Sequence, residues 1–172
     1  MTRRRLFAWT AAMVVAAFVI PQGAPLLGMH IAARLWDRLR IPLPFLSQAG
    51  DVLAGATGGA LLGLLQWAAL PAARAGWVAI ATLAGAAVGA SHVVYGPLVI
   101  LAAPAAGAIA ALFQAPRNPR WPRAQALAVA WVAVAAMLPF PRWVAATFLV
   151  GAALISAWGV AYPGPRQVPS VR

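Results

Sequence analysis

Gly55-Ala56-Thr57-Gly58-Gly59-Ala60-Leu61-Leu62-Gly63-Leu64-Leu65-Gln66-Trp67 is the stretch that decides the fold. It sits in a run that carries no charge from Val52 to Ala73. About 20 apolar residues suffice for a membrane helix. Gly55, Gly59 and Gly63 recur every fourth residue, so a helix presents them as one stripe. Lipid tails supply no hydrophobic drive between helices, and small residues instead let two backbones approach and pack. Gly85 and Gly89 repeat the spacing one segment later. The two stripes predict a tightly packed hairpin. A stripe of this kind facing outward would instead serve homo-oligomer or partner contacts.

The same character extends outward from this stretch. Of 172 residues, 63% are hydrophobic and 9% charged, against about 25% charged in an ordinary soluble domain. The fold class expected is therefore an all-α integral membrane protein. Six apolar segments can be drawn, at about 6–27, 52–70, 77–94, 97–114, 124–138 and 143–162. The first contains Pro21 and the fifth is short; a re-entrant first segment would leave five spans. Arg3, Arg4 and Arg5 before an apolar run raise a signal peptide, with Gln22-Gly23-Ala24 as the cleavage region. The length of the run and the polytopic remainder favour a retained first helix.

Between the first two spans, Gly28–Arg40 places Ile31, Leu35, Leu39 and Trp36 on one side. His30, Arg34, Asp37 and Arg38 lie on the other. This pattern predicts an interfacial helix over about 28–40, lying on the membrane, with a lid over a central cavity as its functional version. Residues 163–172, with three prolines, read as a mobile tail.

All thirteen basic residues are arginine, facing only Asp37 and Asp51 as acids. The arginines are scattered between apolar runs, without the basic face that a nucleic-acid surface needs; nucleic acid is not an expected partner. Nine fall on the side of the termini and four on the other, which predicts cytoplasmic N- and C-termini in an inner membrane. Arg117, Arg120 and Arg123 around Trp121 form the strongest basic patch, suited to anionic lipid headgroups. Trp9, Trp67, Trp77, Trp121 and Trp143 fall near segment ends and fit an interfacial belt, while Trp131 and Trp158 lie deeper.

The chain has no cysteine and no lysine. This excludes disulfides, thiol nucleophiles, cysteine metal sites, Walker loops and Schiff bases. Four polar residues remain as candidates for a ligand site. Asp51 reads as an intramembrane carboxylate or as a helix N-terminal residue favoured by the dipole. Gln66 and Gln114 line a shared site or bond across helices. His92 is an axial ligand for haem or a pigment, or an interfacial imidazole. Ser91 and His92, adjacent on one helix, point about 100° apart and do not make a hydrolase pair. No metal or cofactor is expected, and no enzyme.

A shift of 48 residues pairs Gly59-Ala60-Leu61-Leu62-Gly63-Leu64-Leu65-Gln66 with Gly107-Ala108-Ile109-Ala110-Ala111-Leu112-Phe113-Gln114, four of the eight being identical. Segments two–three and four–five thus read as two copies of one helical hairpin. Gly59-x-x-x-Gly63-x-x-Gln66-Trp67-x-x-Leu70, then Arg74-Ala75-Gly76-Trp77 and Gly85-x-x-x-Gly89, resembles a hairpin of bacterial polytopic membrane proteins without assigned activity, which tend to repeat it. The resemblance covers about 55–90, with a degraded copy at 103–138, and implies architecture alone. The Ala8-x-x-x-Ala12-x-x-x-Ala16 ridge is similar to one in the substrate-binding membrane subunits of vitamin uptake systems.

Two functions follow as expectations. The first is a non-catalytic accessory or scaffold subunit, packing against partner proteins and lipid through small-residue ridges and holding no polar cavity. The alternative is a small-molecule or lipid transporter, or a vitamin-uptake substrate-binding subunit, with a site between the two hairpins lined by Gln66, Gln114 and Asp51.

Overall fold

The computed structural model describes residues 3–39, 44–69, 75–95, 99–114, 118–137 and 141–161. All of the regular structure among them is helical: α1 (Arg3–Leu39), α2 (Pro44–Ala69), α3 (Ala75–Tyr95), α4 (Val99–Gln114), α5 (Arg120–Met137) and α6 (Arg142–Val160). Prolines mark several boundaries. Pro44 opens α2, where its missing N–H would be unbonded in any case. Pro141 precedes α6, and its carbonyl accepts from the N–H groups of Val144 and Ala145. Asn118 caps α5, its Oδ1 accepting from the Arg120 N–H at 3.1 Å. Its Nδ2 donates to the Gly159 carbonyl at 2.9 Å, which ties the start of α5 to the end of α6.

Each helix packs on the next in the chain, and α6 returns to pack on α1. The six therefore form a closed ring, with neighbours antiparallel as their short links require. Four of the helices, α1, α2, α3 and α6, are long and apolar enough to cross a membrane. The apolar part of α4 is shorter, and α5 has 18 residues that include Arg120 and Arg123. The outside of the ring is apolar, with Phe7, Leu26, Leu83, Leu101, Phe113 and Trp143 among its exposed side chains. That distribution suits lipid.

α1 differs from the expectation at its C-terminal third. The segment expected as a separate interfacial helix over 28–40 is, through Leu39, a continuation of the first helix. By a rise of about 1.5 Å per residue, α1 is about 55 Å long, longer than a hydrocarbon core of about 30 Å. The reason lies on the other face of the segment. Trp9, Met13, Ala17, Ala24, Gly28 and Ala32 form one buried stripe that crosses Leu27 without a change of phase. A side chain at Gly28 would strike the backbone of Ala54. α2 begins eight residues earlier than the segment drawn from Val52 and supplies the surface on which this part of α1 packs. Pro21 and Pro25 lie inside α1, and leave the carbonyls of Ala17 and Pro21 without their i+4 donors. Membrane helices tolerate such losses. The proposed tail, 163–172, lies outside the described residues.

The α2–α3 seam is where the glycine stripes meet. A Cβ on Gly55 would land on the Gly85 carbonyl, one on Gly59 on the Ala81 carbonyl, and one on Gly89 on the Asp51 carbonyl. Gly63 faces the Val78 backbone. In the α4–α5 pair, Gly107 faces the side chain of Val129. Gly107 and Val129 stand 48 positions after Gly59 and Ala81. The two seams thus use matching positions, the second with a side chain where the first has only backbone.

Candidate functional site

The ring surrounds a cavity of about 470 Å³, open to the outside, to which all six helices contribute. Its walls are mostly alanine and glycine, for example Ala16, Gly55, Gly85, Ala106, Ala128 and Ala152. Small residues keep the helices close at their seams while leaving the axis of the ring unfilled. Polar side chains gather at its two ends.

At one end lie the start of α1, the end of α2, the starts of α3 and α5, and the ends of α4 and α6. Trp121 packs edge-on against Trp9, with centroids 5.4 Å apart, and at 5.9 Å from Trp77. Trp9, Trp121 and Gln66 are buried almost completely. Ala69, Ala111, Ala153 and Ala157 complete this cluster, which shuts the end of the ring. Beneath it run two sets of hydrogen bonds. The Trp121 indole donates to Gln114 Oε1 at 3.3 Å, and Gln114 Nε2 donates to Gln66 Oε1 at 3.2 Å. The Trp9 indole and Gln125 Nε2 both donate to Ser156 Oγ, at 3.2 and 3.1 Å. An indole N–H can only donate, so Trp121 fixes which way the Gln114 amide faces, and Gln114 in turn fixes Gln66.

At the other end Asp51 and His92 face each other across the α2–α3 seam, Nδ1 to Oδ2 at 3.4 Å. Both line the cavity, with 42% and 49% of their side-chain surface exposed. Asp51 is two turns inside α2 rather than at its N-terminus, because the helix starts at Pro44; the reading as a dipole-favoured first residue is corrected. Fifteen residues of helix, about 22 Å, separate it from Gln66. An exposed polar contact of this kind contributes about 0–1 kcal/mol. We expect Asp51→Asn to change the unfolding free energy by no more than that, measured by thermal denaturation in detergent. A loss of several kcal/mol would show that the pair holds the seam together.

The residues singled out by sequence therefore fall into three places. Gln66 and Gln114 meet at the shut end, and Asp51 and His92 at the exposed end of the same cavity. Gly55, Gly59, Gly63, Gly85 and Gly89 occupy the α2–α3 seam between them. Arg120 and Arg123 are exposed on the first turn of α5. The Arg120 guanidinium lies 5.3 Å from the Trp158 ring centroid. Arg117 lies outside the described residues.

The tryptophans depart most from the reading. Trp9 and Trp121, expected in a lipid-facing belt, are core residues. Trp158, expected to pack deeper, is half exposed beneath Arg120, while Trp131 rests on Gly151 and Phe148. Gln125 and Ser156 were not anticipated. Gln125 is the one polar residue from Ala124 to Ala130 and Ser156 the one hydroxyl from Gly151 to Val160, and that was the available signal. Among the described residues no group of three or more histidines and carboxylates converges as a metal site.

The class defined by these features is an all-helical, lipid-compatible ring with an internal cavity shut at one end by an aromatic and amide cluster. No protein family, no curated protein and no solved structure matches the chain.

Proposed function

We propose that the chain is a six-span protein of a bacterial inner membrane that captures a small molecule in its central cavity, as a transporter or the substrate-binding subunit of one. The observation that carries this reading is the cavity itself. Its volume lies within the range of about 300–1,000 Å³ usual for small-molecule sites, all six helices wall it, and one of its ends buries polar side chains. α2–α3 and α4–α5 are the two copies of a duplicated hairpin. The matched seams and the bond between Gln66 and Gln114, 48 residues apart, support that duplication. The arginine distribution, nine on the side of the termini against four, favours both termini in the cytoplasm. The shut end is then cytoplasmic, and the Asp51–His92 end opens to the opposite side.

The expectation of an accessory subunit docking through outward glycine ridges loses the support it drew from them, since the α2–α3 seam occupies those ridges.

Native mass spectrometry of the protein released gently from its own membrane tests the reading. We expect one small organic molecule per chain, lost in Ala128→Phe, which fills the cavity from the α5 wall. A chain that carries stoichiometric protein partners and no small molecule would overturn it.

A further inference from the structure

The hydrogen bonds at the shut end leave two donors, on Gln66 and Ser156, facing the cavity, beside Gln125 Oε1, which the bond to Ser156 does not use. In the chain that starts at Trp121, each group gives a proton to the next. Trp121 is a pure donor, so Gln114 must turn its Oε1 toward it and its Nε2 toward Gln66. Gln66 must then answer with Oε1, which turns its own NH₂ away. That amide is buried and lines the cavity, and the bond from Gln114 does not use its Nε2. The second set ends the same way. Ser156 Oγ accepts two protons, from Trp9 and from Gln125. Both lone pairs are engaged, and the hydroxyl keeps its own proton to give. Ser156 is also buried and lines the cavity.

The remainder of the site sets the other properties of a ligand. Among the described residues no arginine lines the cavity, and the ionisable residues that do, Asp51 and His92, stand at the far end. A charge brought to Gln66 and Ser156 would lose its hydration and meet only neutral groups, a large cost without a counter-ion. A neutral acceptor meets two donors that the bonds at this end do not use, and brings no charge into the apolar surrounding. Between the ends the wall is apolar, mostly alanine and glycine with Ile20, Leu62, Val88 and Val129.

From this pattern we infer that the cavity takes an uncharged, mainly apolar molecule carrying a carbonyl-type oxygen at one end, and that Gln66 Nε2 and the Ser156 hydroxyl seat that oxygen. The inference rests on the cavity being a binding site, as proposed above. It adds the direction in which the ligand lies, head toward the tryptophan cluster and tail toward Asp51–His92, and it selects against acids and amines.

Four probes of equal chain length separate these properties: 2-tridecanone, dodecanoate, dodecylammonium and tridecane, each brominated four carbons from the head (at the matching carbon in tridecane), which brings the bromine near the tryptophan cluster. They are added at equal mole fraction to the full-length protein in nanodiscs, and quenching of tryptophan fluorescence reports occupancy. The ketone is expected to bind best, about five- to tenfold over tridecane, which corresponds to one good hydrogen bond. In Gln66→Leu and in Ser156→Ala the ketone is expected to fall toward the tridecane level, while tridecane itself binds as before. Unchanged tridecane binding shows that the cavity survives the substitution. A ¹³C-labelled ketone carbonyl adds a second readout, since its infrared band moves to lower frequency on accepting a hydrogen bond and should return in Gln66→Leu. Equal binding of ketone and tridecane would overturn the seating of the head and leave the cavity reading standing. Tightest binding of dodecanoate or dodecylammonium would overturn the uncharged class. Failure of all four to quench more than they do in Ala128→Phe would overturn this inference together with the proposal beneath it.

Discussion

Gly59→Val is expected to destabilise the protein by about 3 kcal/mol or more, the upper end of the usual range for overpacking. A Cβ at this position falls on the Ala81 carbonyl and crowds the Thr82 Cα. Backbone cannot rotate aside as a side chain can, so α2 and α3 must separate along the whole seam. In a membrane the loss is not softened by a hydrophobic term, because packing is what joins the helices. Gly55 and Gly85 abut one another in the same way. Two controls give the result its meaning. Gly107→Ala meets Val129 Cγ2, a side-chain methyl, at 2.9 Å, and is expected to cost clearly less than Gly59→Val. Gly76→Ala meets nothing within 4 Å and should be neutral or stabilising by up to about 1 kcal/mol, as alanine usually is over glycine in a helix. Thermal denaturation of the three variants in one detergent measures the order. Equal cost at Gly59 and Gly76 would mean that the seam does not exist as described.

Those glycines were legible because a residue without a side chain has one evident use on a helix in lipid, and its spacing gives the face. The segments were legible for a comparable reason, since the length of an apolar run sets whether a helix can span. Rotation about the helix axis was not legible. α3, α4 and α6 are apolar on all sides, so no polar face tells which way they turn. Trp9 and Trp121 occupy the depth expected of a belt but the opposite face. The end of α1 was misplaced because its polar residues were weighed and its small ones were not. Gly28 and Ala32 carry the packing on α2, whereas His30, Arg34 and Asp37 stay exposed. At the site, Gln66 and Gln114 were found through the repeat, which marks equivalent positions whatever their orientation. Gln125 and Ser156 have no polar counterpart 48 residues away, at Trp77 or Ala108, so the repeat could not point to them.

The shut end depends on Trp121 more than on any other side chain. It touches Trp9 and Trp77 and orders the Gln114 amide. Trp121→Ala leaves a large void among helices that packing alone holds together, and it frees Gln114 Oε1 in a half-buried place. Losses of about 3–5 kcal/mol are usual for removing a buried aromatic ring. In lipid part of that value, the transfer from water, does not apply, so we expect about 3 kcal/mol. Trp121→Phe keeps most of the ring and loses only the N–H, which should cost about 1 kcal/mol. The two variants separate packing from polarity in stability, and they also separate in binding. With the indole N–H gone, nothing obliges Gln114 to face outward with its oxygen, and the amides of Gln114 and Gln66 can turn over together. Gln66 then offers Oε1 to the cavity in place of Nε2. Trp121→Phe is therefore expected to weaken the ketone probe and leave tridecane unchanged, in a protein that remains folded. Loss of both probes to the same degree would show that Trp121 acts as a plug and does not set the direction of the hydrogen bonds.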